Sequence, residues 1–344
     1  MASSTRSFSL REWLRLGLAL SLIVAVIEYA RFAYWVSTGI GSPAFRPDVA
    51  DAFLPLGGVA ALRVWLSTGF WDNLHPVALV VMIAIIVTAW LFRRAACSWI
   101  CPIGMISEYL GKLGIKVGHG KTVKVPKWLD RTLLGLKYVV TVVIVLMLFV
   151  APVASLRDFM GQPFYATSDY GLFRVYVQNF AVASIIIGII LVASVFVKSV
   201  WCRYVCPYGA LQGLFGLVSP VVLAKDQETC TSCGACSRAC PNAVDVAGAK
   251  KSAVVSAECM GCGSCVEACP KQGTLSFKFF GKWRIDPTAI GLMFVAVFLA
   301  VVLAAVATGH WSSTLTPEQY RSLTAVTASQ GAAMGATTGS AATP

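Results

Sequence analysis

Residues 230–241 read CTSCGACSRACP and residues 259–270 read CMGCGSCVEACP. Each is a C-x2-C-x2-C-x3-C-P run, the spacing of thiolate ligands to [4Fe–4S] clusters. Three cysteines on a tight loop can wrap three corners of a cubane, and the Gly and Ala between them let backbone N–H groups approach its sulfurs. The fourth cysteine is carried away to the other cluster, and the proline after it fixes that exit. The spacing therefore predicts one cluster on Cys230, Cys233, Cys236 and Cys269, and a second on Cys259, Cys262, Cys265 and Cys240. Zinc knuckles also use C-x2-C pairs. Zinc has no need of a fourth cysteine at x3 before proline, twice over.

A second element comes earlier and is also repeated. Residues 97–104 read CSWICPIG and 202–209 read CRYVCPYG, each a C-x3-C-P-x-G that follows an apolar run and basic residues: Arg93 and Arg94 before the first, Lys198 before the second. Cysteines at i and i+4 share a helix face, and the proline limits how the chain continues. An internal duplication would bring Cys97, Cys101, Cys202 and Cys206 together. Four sulfurs suit a third iron–sulfur cluster, zinc or Cu(I), and a thiol–disulfide switch is the remaining alternative.

What must position these cysteines is a membrane. Of 344 residues 57% are hydrophobic and only 13% charged, about half the charge fraction of a soluble fold of this size. Apolar runs near the length of a bilayer span fall at roughly 14–36, 74–92, 133–153, 180–197 and 288–308, which predicts five transmembrane helices. The first is too long for the apolar core of a signal peptide and reads as a retained anchor. The stretch Phe53 to Leu66, broken by Pro55, Gly57, Gly58 and Arg63, reads as interfacial or re-entrant. With the N-terminus inside, segments 1–15, 93–137 and 198–284 face the cytoplasm and hold 22 of the 28 Lys and Arg. By the positive-inside rule that sets the orientation, and all twelve cysteines land where thiols stay reduced. The net charge of +12 therefore marks the cytoplasmic face of a membrane protein, not a nucleic-acid partner.

Weaker signals carry less. Gly120-Lys121-Thr122 hints at a phosphate loop, but Gly114 stands five residues before Gly120 where four are required. No C-x-x-C-H occurs among His75, His119 and His310, so c-type haem is excluded. Glu28 and Arg31 on the first helix, and Asp72 with His75 before the second, are ionisable groups at the ends of spans and could handle protons. The plainer reading is an interfacial ion pair for the first two and solvated helix-end groups for the others. The tail beyond Tyr320, rich in Ala, Thr, Gly and Ser, is expected to be disordered. Its Gly335-Ala336-Thr337 is better explained by low complexity than by flavin attachment.

Arg46-Pro47-Asp48-Val49 followed by FLPLGG, then His75-Pro76, CSWICPIG and WCRYVCPYGAL, resembles the NapH/YccM family, membrane-bound ferredoxin-type proteins whose core also forms the C-terminal half of NosR. The resemblance covers about residues 10 to 285. It implies a membrane polyferredoxin passing electrons between quinone and a redox partner. The partner stays open, because NapH-like, YccM-like and NosR-like proteins serve different systems.

The expected architecture is an all-α polytopic membrane protein with a small α+β two-cluster ferredoxin domain. Residues 1–220 form the membrane module with four spans, 225–285 the cytoplasmic ferredoxin domain, 286–310 the fifth span, and 311–344 a disordered extracytoplasmic tail. The expected function is single-electron transfer between the quinone pool and a respiratory or redox partner. That makes the chain an electron carrier or oxidoreductase subunit rather than a stand-alone enzyme, with no protein nucleophile or general base. The alternative is a maturation factor that reduces a partner metalloenzyme's metal, such as copper, at the C-x3-C-P thiols.

Overall fold

The computed structural model describes residues 10–118, 123 and 125–339, with side chains as far as residue 329. His119 and the Gly120-Lys121-Thr122 hint lie outside the described residues. The chain opens with α1 (Leu10–Thr38), followed by α2 (Pro55–Thr68) and α3 (Pro76–Phe92). Two short-to-medium helices flank the first cysteine turn, α4 (Ala95–Trp99) and α5 (Pro102–Val117), and α6 (Lys127–Val150) follows. Then come α7 (Val153–Met160), α8 (Pro163–Ala166), α9 (Ser168–Gln178), α10 (Phe180–Phe196) and α11 (Pro207–Gly216). The ferredoxin segment holds β1 (Val221–Lys225), α12 (Ala235–Ala239), β2 (Ala253–Val254), α13 (Ser264–Glu267), β3 (Leu275–Phe279) and β4 (Trp283–Ile285). The chain ends with α14 (Pro287–Ala307) and α15 (Pro317–Gly339).

Among the described residues three helices, α1, α6 and α14, are long and apolar enough to cross a membrane, and α9 with α10 makes a fourth candidate bent by 89°. The spans expected at 74–92 and 180–197 correspond to α3 and α10, each 17 residues long, or roughly 26 Å at the rise of an α-helix. The interrupted stretch at 53–66 forms α2, whose 14 residues reach only about 21 Å. α1 stops where Gly39 adopts φ +71 and its N–H bonds to the Trp35 carbonyl at 2.8 Å, a glycine termination.

Two compact units divide the chain, with boundaries inside the apolar helices. One takes residues 1–20, 83–144 and 184–301, the other 21–82, 145–183 and 302–344. The ferredoxin segment is therefore not a compact unit by itself. Its four antiparallel strands run in the order β2-β1-β3-β4, with Leu223 opposite Val254 on one side and Phe277 on the other. Leu223, Val254 and Phe277 are buried in one apolar core with Phe92 and Trp99, at the end of α3 and in α4, and with Ile290 and Phe294 of α14. Burying that sheet face requires the helices, which is why the segment is gathered with them.

In the second unit the expected disordered tail is a correction. α15 forms, and its first turn is docked. Thr316 and Gln319 make a reciprocal capping box: the Thr316 N–H bonds to Gln319 Oε1 at 3.0 Å and the Gln319 N–H to Thr316 Oγ1 at 3.3 Å. Tyr320 is buried with Phe32 and Trp35, and its hydroxyl donates to Asp169 Oδ1 at 2.5 Å. Alanine, the strongest helix former, supplies the rest. The side chains of Gly335-Ala336-Thr337 lie outside the description.

Candidate metal centres

The two ferredoxin loops are built alike. Ser232 (φ +53) and Gly234 (φ +74) in the first loop correspond to Gly261 (φ +61) and Gly263 (φ +80) in the second. These left-handed residues turn the chain tightly between cysteines three apart. Gly234 and Gly263 then cap α12 and α13. Cys230, Cys233, Cys236 and Cys269 line one cavity. Cys240, Cys259, Cys262 and Cys265 line another. The fourth cysteine of each run thus lies at the other run's cavity.

Backbone groups turn toward the sulfurs. The Val244 N–H lies 3.4 Å from Cys240 Sγ. Burial pushes the Cys240 thiol up to about 12, with Cys262 and Cys259 adding to the shift. Cys233 is exposed and is held below the ordinary thiol value by the Ala235 N–H and the Thr231 hydroxyl. All twelve cysteines are free thiols. Among the described residues, no three His, Cys, Asp or Glu side chains are gathered tightly enough for a single metal ion.

The C-x3-C-P thiols lie within electrostatic reach of one another. Burial raises the Cys101 thiol to about 12, and Cys97, Cys202 and Cys206 all contribute. Cys202 is pushed up to about 12 by burial and then by Cys97 and Cys206. The two cysteines of an element do not ride one helix face, which corrects the i, i+4 expectation. Each turn closes with a wider bond instead, from the Cys101 N–H to the Ala96 carbonyl at 3.0 Å and from the Cys206 N–H to the Trp201 carbonyl at 2.9 Å. Those five-residue closures are π-type bonds, a bulge common at functional sites. Cys101 and Cys206 then leave the helical region, with ψ near 118° and 115°, and cap α5 and α11, each of which starts at the motif proline. The Gly209 N–H approaches Cys206 Sγ at 3.3 Å. Proline at the first helical position and a thiol accepting from the first turn explain the C-P-x-G order. A Cβ on Gly104 would fall 2.0 Å from the Cys97 carbonyl oxygen, which explains the glycine.

One buried polar network joins this pair to the second ferredoxin loop. Arg94 is fully buried. Its Nη1 donates to Glu258 Oε2 at 2.5 Å and its Nη2 to the Cys202 carbonyl at 3.1 Å. Glu258, next to Cys259, also accepts from Lys137 Nζ at 2.8 Å, Tyr138 OH at 2.6 Å and Asn242 Nδ2 at 2.8 Å. Burial opposes the Glu258 carboxylate, yet Arg94 and Lys137 hold its pKa below the ordinary range. Ser98 Oγ donates to the Met260 carbonyl at 3.0 Å. Ser107 Oγ stands 3.6 Å from Cys202 Sγ and Gln212 Oε1 3.8 Å from Cys97 Sγ. None of these partners carries a motif. The one signal was positional, since Arg94 and Glu258 each stand close before a cysteine run.

In the second unit Glu28 and Arg31 form an exposed ion pair at 2.9 Å. Asp72 and His75 are not solvated but buried. His75 Nδ1 lies 2.9 Å from Asp51 Oδ1 and Nε2 lies 2.7 Å from the Tyr165 carbonyl. Both ring nitrogens therefore face oxygen atoms. Arg46 joins Asp51 and Asp169, and Tyr165 OH donates to Asp72 Oδ2 at 2.5 Å.

Comparison with known proteins finds 4Fe-4S families over both cysteine regions. The family described as 4Fe-4S binding domain matches residues 74–119 and again 179–223, one C-x3-C-P element in each copy. The family described as 4Fe-4S dicluster domain matches residues 223–270. YccM of Escherichia coli (strain K12), a protein named for electron transport, is 32% identical over 317 residues, covering 89% of this chain and 87% of YccM. The ferredoxin-type protein NapH of Haemophilus influenzae is 26% identical over 67% of this chain and 74% of its own length. The methylamine utilization ferredoxin-type protein MauN of Paracoccus denitrificans is 23% identical over 70% of this chain and 82% of its own. No solved structure matches the chain.

Proposed function

Because the chain belongs to the NapH/YccM-like family of 4Fe–4S ferredoxin-type electron-transport proteins, we propose that it passes single electrons between the quinone pool and a redox partner at the bacterial inner membrane. The observation that supports this is the lining of two cavities by four ferredoxin cysteines each, with the C-x3-C-P cysteines in the same compact unit. Cys230, Cys233, Cys236 and Cys269 would hold one [4Fe–4S] cluster, and Cys240, Cys259, Cys262 and Cys265 the second. Cys97, Cys101, Cys202 and Cys206 would hold a third. Bound clusters of this type supply one-electron exchange.

The protein's part is to hold and insulate. Backbone N–H groups at Val244 and Gly209 donate to cysteine sulfur, and such bonds set the potential. Arg94 and Lys137 balance negative charge beside the C-x3-C-P set, with Glu258 locking both in place. The short helices α3 and α10 complete five spans, within the range by which tilted or locally thinned bilayers are matched. The basic segments then set the cysteine sets and the N-terminus on the cytoplasmic side and α15 on the other.

The test is iron and acid-labile sulfide per chain on anaerobically purified protein. About 12 irons are expected for three cubanes, falling by about a third on Cys97→Ser. About 8 irons, unmoved by that substitution, would return the four cysteines to thiol or other-metal chemistry and favour the maturation factor. Zinc without iron would overturn both.

A further inference from the structure

The first turns of α1 and α14, the chain just past α10 and one side of α5 stand around a cavity of about 570 Å³. Every residue lining it belongs to one compact unit. Five are cations: Arg11 and Arg15 of α1, Lys112 of α5, Lys198 and Arg238. Three are carboxylates, Glu12, Glu108 and Glu267, which leaves the wall net positive. Cys240 and Cys262 line it as well.

The positive charge is answered only in part. Glu108 takes Arg11 Nη2 at 2.7 Å, Arg15 Nη1 at 2.8 Å and Lys112 Nζ at 3.0 Å, so one carboxylate faces three cations. Lys198 and Arg238 bond to backbone carbonyls instead. Lys198 Nζ donates to the carbonyls of Arg238 and Cys240, and Arg238 Nη1 to that of Cys233 at 3.0 Å. A carbonyl occupies a donor and leaves the charge in place.

The wall also runs on into apolar surface. Thr288 of the wall begins a row on α14 that continues with Leu292, Ala296 and Leu299, all exposed. Residues three and four apart are neighbours on a helix surface, so this is one face of a helix apolar enough to span a membrane. On α1 the face that carries Arg11 and Arg15 continues with exposed Leu18. Cations at the ends of spans with an apolar track beyond them match the two parts of a phospholipid. Basic pockets between spans hold such head groups.

We infer that this cavity seats the phosphate head group of an anionic membrane phospholipid, held by Lys198, Arg238 and the arginines of α1, with an acyl chain along the Leu292 and Leu299 face of α14. The inference goes beyond electron transfer and rests only on α1 and α14 lying in the membrane. Through Arg238 the lipid would fasten the ferredoxin segment to the bilayer surface. Inorganic phosphate offers the same oxygens without the chains.

The test uses the iron-loaded protein in phosphatidylcholine nanodiscs doped with photoreactive phosphatidylglycerol, with labelled peptides mapped by mass spectrometry. Lys198→Gln combined with Arg238→Gln removes two charges yet keeps a donor for the carbonyls. Gly111 lines the cavity, and a Cβ there meets nothing within 4 Å. Gly111→Phe therefore fills the space without removing a contact. The expected result is label within residues 10–18, 102–117 or 287–299, competed by unlabelled phosphatidylglycerol and not by phosphatidylcholine. It should fall about tenfold in the double variant and in Gly111→Phe, with iron content unchanged in both. Label displaced by inorganic phosphate would overturn the lipid as the source of the phosphate. Label spread along the helices and undiminished by Gly111→Phe would mean surrounding bilayer lipid only and overturn the site. Iron lost from the double variant with label intact would assign these cations to the cysteine set beside them, and overturn it too.

Discussion

Arg94 and Glu258 meet at 2.5 Å with both side chains buried, although 164 residues separate them. The contact ties the turn that precedes Cys97 to the residue that precedes Cys259. A guanidinium at this place also answers the Cys202 carbonyl, so its loss orphans groups on two sides. Removing one partner of a buried pair costs about 3–5 kcal/mol. Arg94→Leu is therefore expected to lower the detergent-solubilised protein's unfolding midpoint strongly. Glu258→Gln keeps the hydrogen-bond geometry and should cost less. A double-mutant cycle should return a coupling of about 1–3 kcal/mol. Additive effects in that cycle would mean the two residues act independently.

Glycines in and around α5 separate three environments. A Cβ on Gly104 would come within 2.0 Å of the Cys97 carbonyl, and one on Gly114 within 1.6 Å of the Val195 carbonyl, while at Gly111 nothing lies near. Backbone carbonyls cannot swing away as a side-chain tip can. Gly104→Ala and Gly114→Ala should each destabilise by about 1–3 kcal/mol or more. Gly111→Ala should be neutral or stabilise by up to about 1 kcal/mol through helix propensity. Equal effects at 104 and 111, read from thermal unfolding, would contradict the close packing of α5 on the cysteine turn.

The crossed arrangement of the ferredoxin runs makes a prediction that sequence-adjacent sets would not. Cys269 lines the cavity of Cys230, Cys233 and Cys236, and Cys240 the cavity of Cys259, Cys262 and Cys265. Cys269→Ala should remove about 4 irons and leave the EPR signal of the second set. Cys240→Ala should do the converse. If Cys269→Ala instead produced the same spectrum as Cys262→Ala, the sets would run along the sequence rather than across it.

Much of this was legible in the chain. The cysteine spacing read directly onto two cavities, because a tight loop leaves those thiols little choice of direction. Apolar runs located α1, α3, α6, α10 and α14, since lipid demands continuous hydrophobicity. What the sequence hid were relationships between distant segments. Lys137 reads as the end of a basic segment, yet its ammonium meets Glu258. Asp72 reads as a solvated helix end, yet Tyr165 from far along the chain covers it. The C-terminal helix is a different case. Its Thr316-x-x-Gln319 capping box stands in the sequence, but low complexity beyond it argued for disorder. The spacing of the C-x3-C pair misled in a third way, because an i, i+4 pattern presumes a helix that the π-type closure at Cys101 and Cys206 replaces.

Glu108 supplies a pH dependence that can be isolated. Arg11, Arg15 and Lys112 surround it. Burial raises a carboxyl pKa, but here the three cations outweigh it and lower the value from 4.5 to about 2. A carboxylate whose folded pKa lies below its unfolded one stabilises the fold fully above the unfolded pKa, and that contribution is lost as pH falls toward the folded one. For a side chain 8% exposed the difference amounts to about 3 kcal/mol near neutrality. Wild type and Glu108→Gln should therefore differ most at pH 6. The gap between their unfolding midpoints should shrink by more than half by pH 3, where the unfolded carboxyl is already protonated. Acid lability common to both proteins cancels in that difference. A gap that stayed constant from pH 6 to 3 would mean the arginines are held by something other than the charge of Glu108.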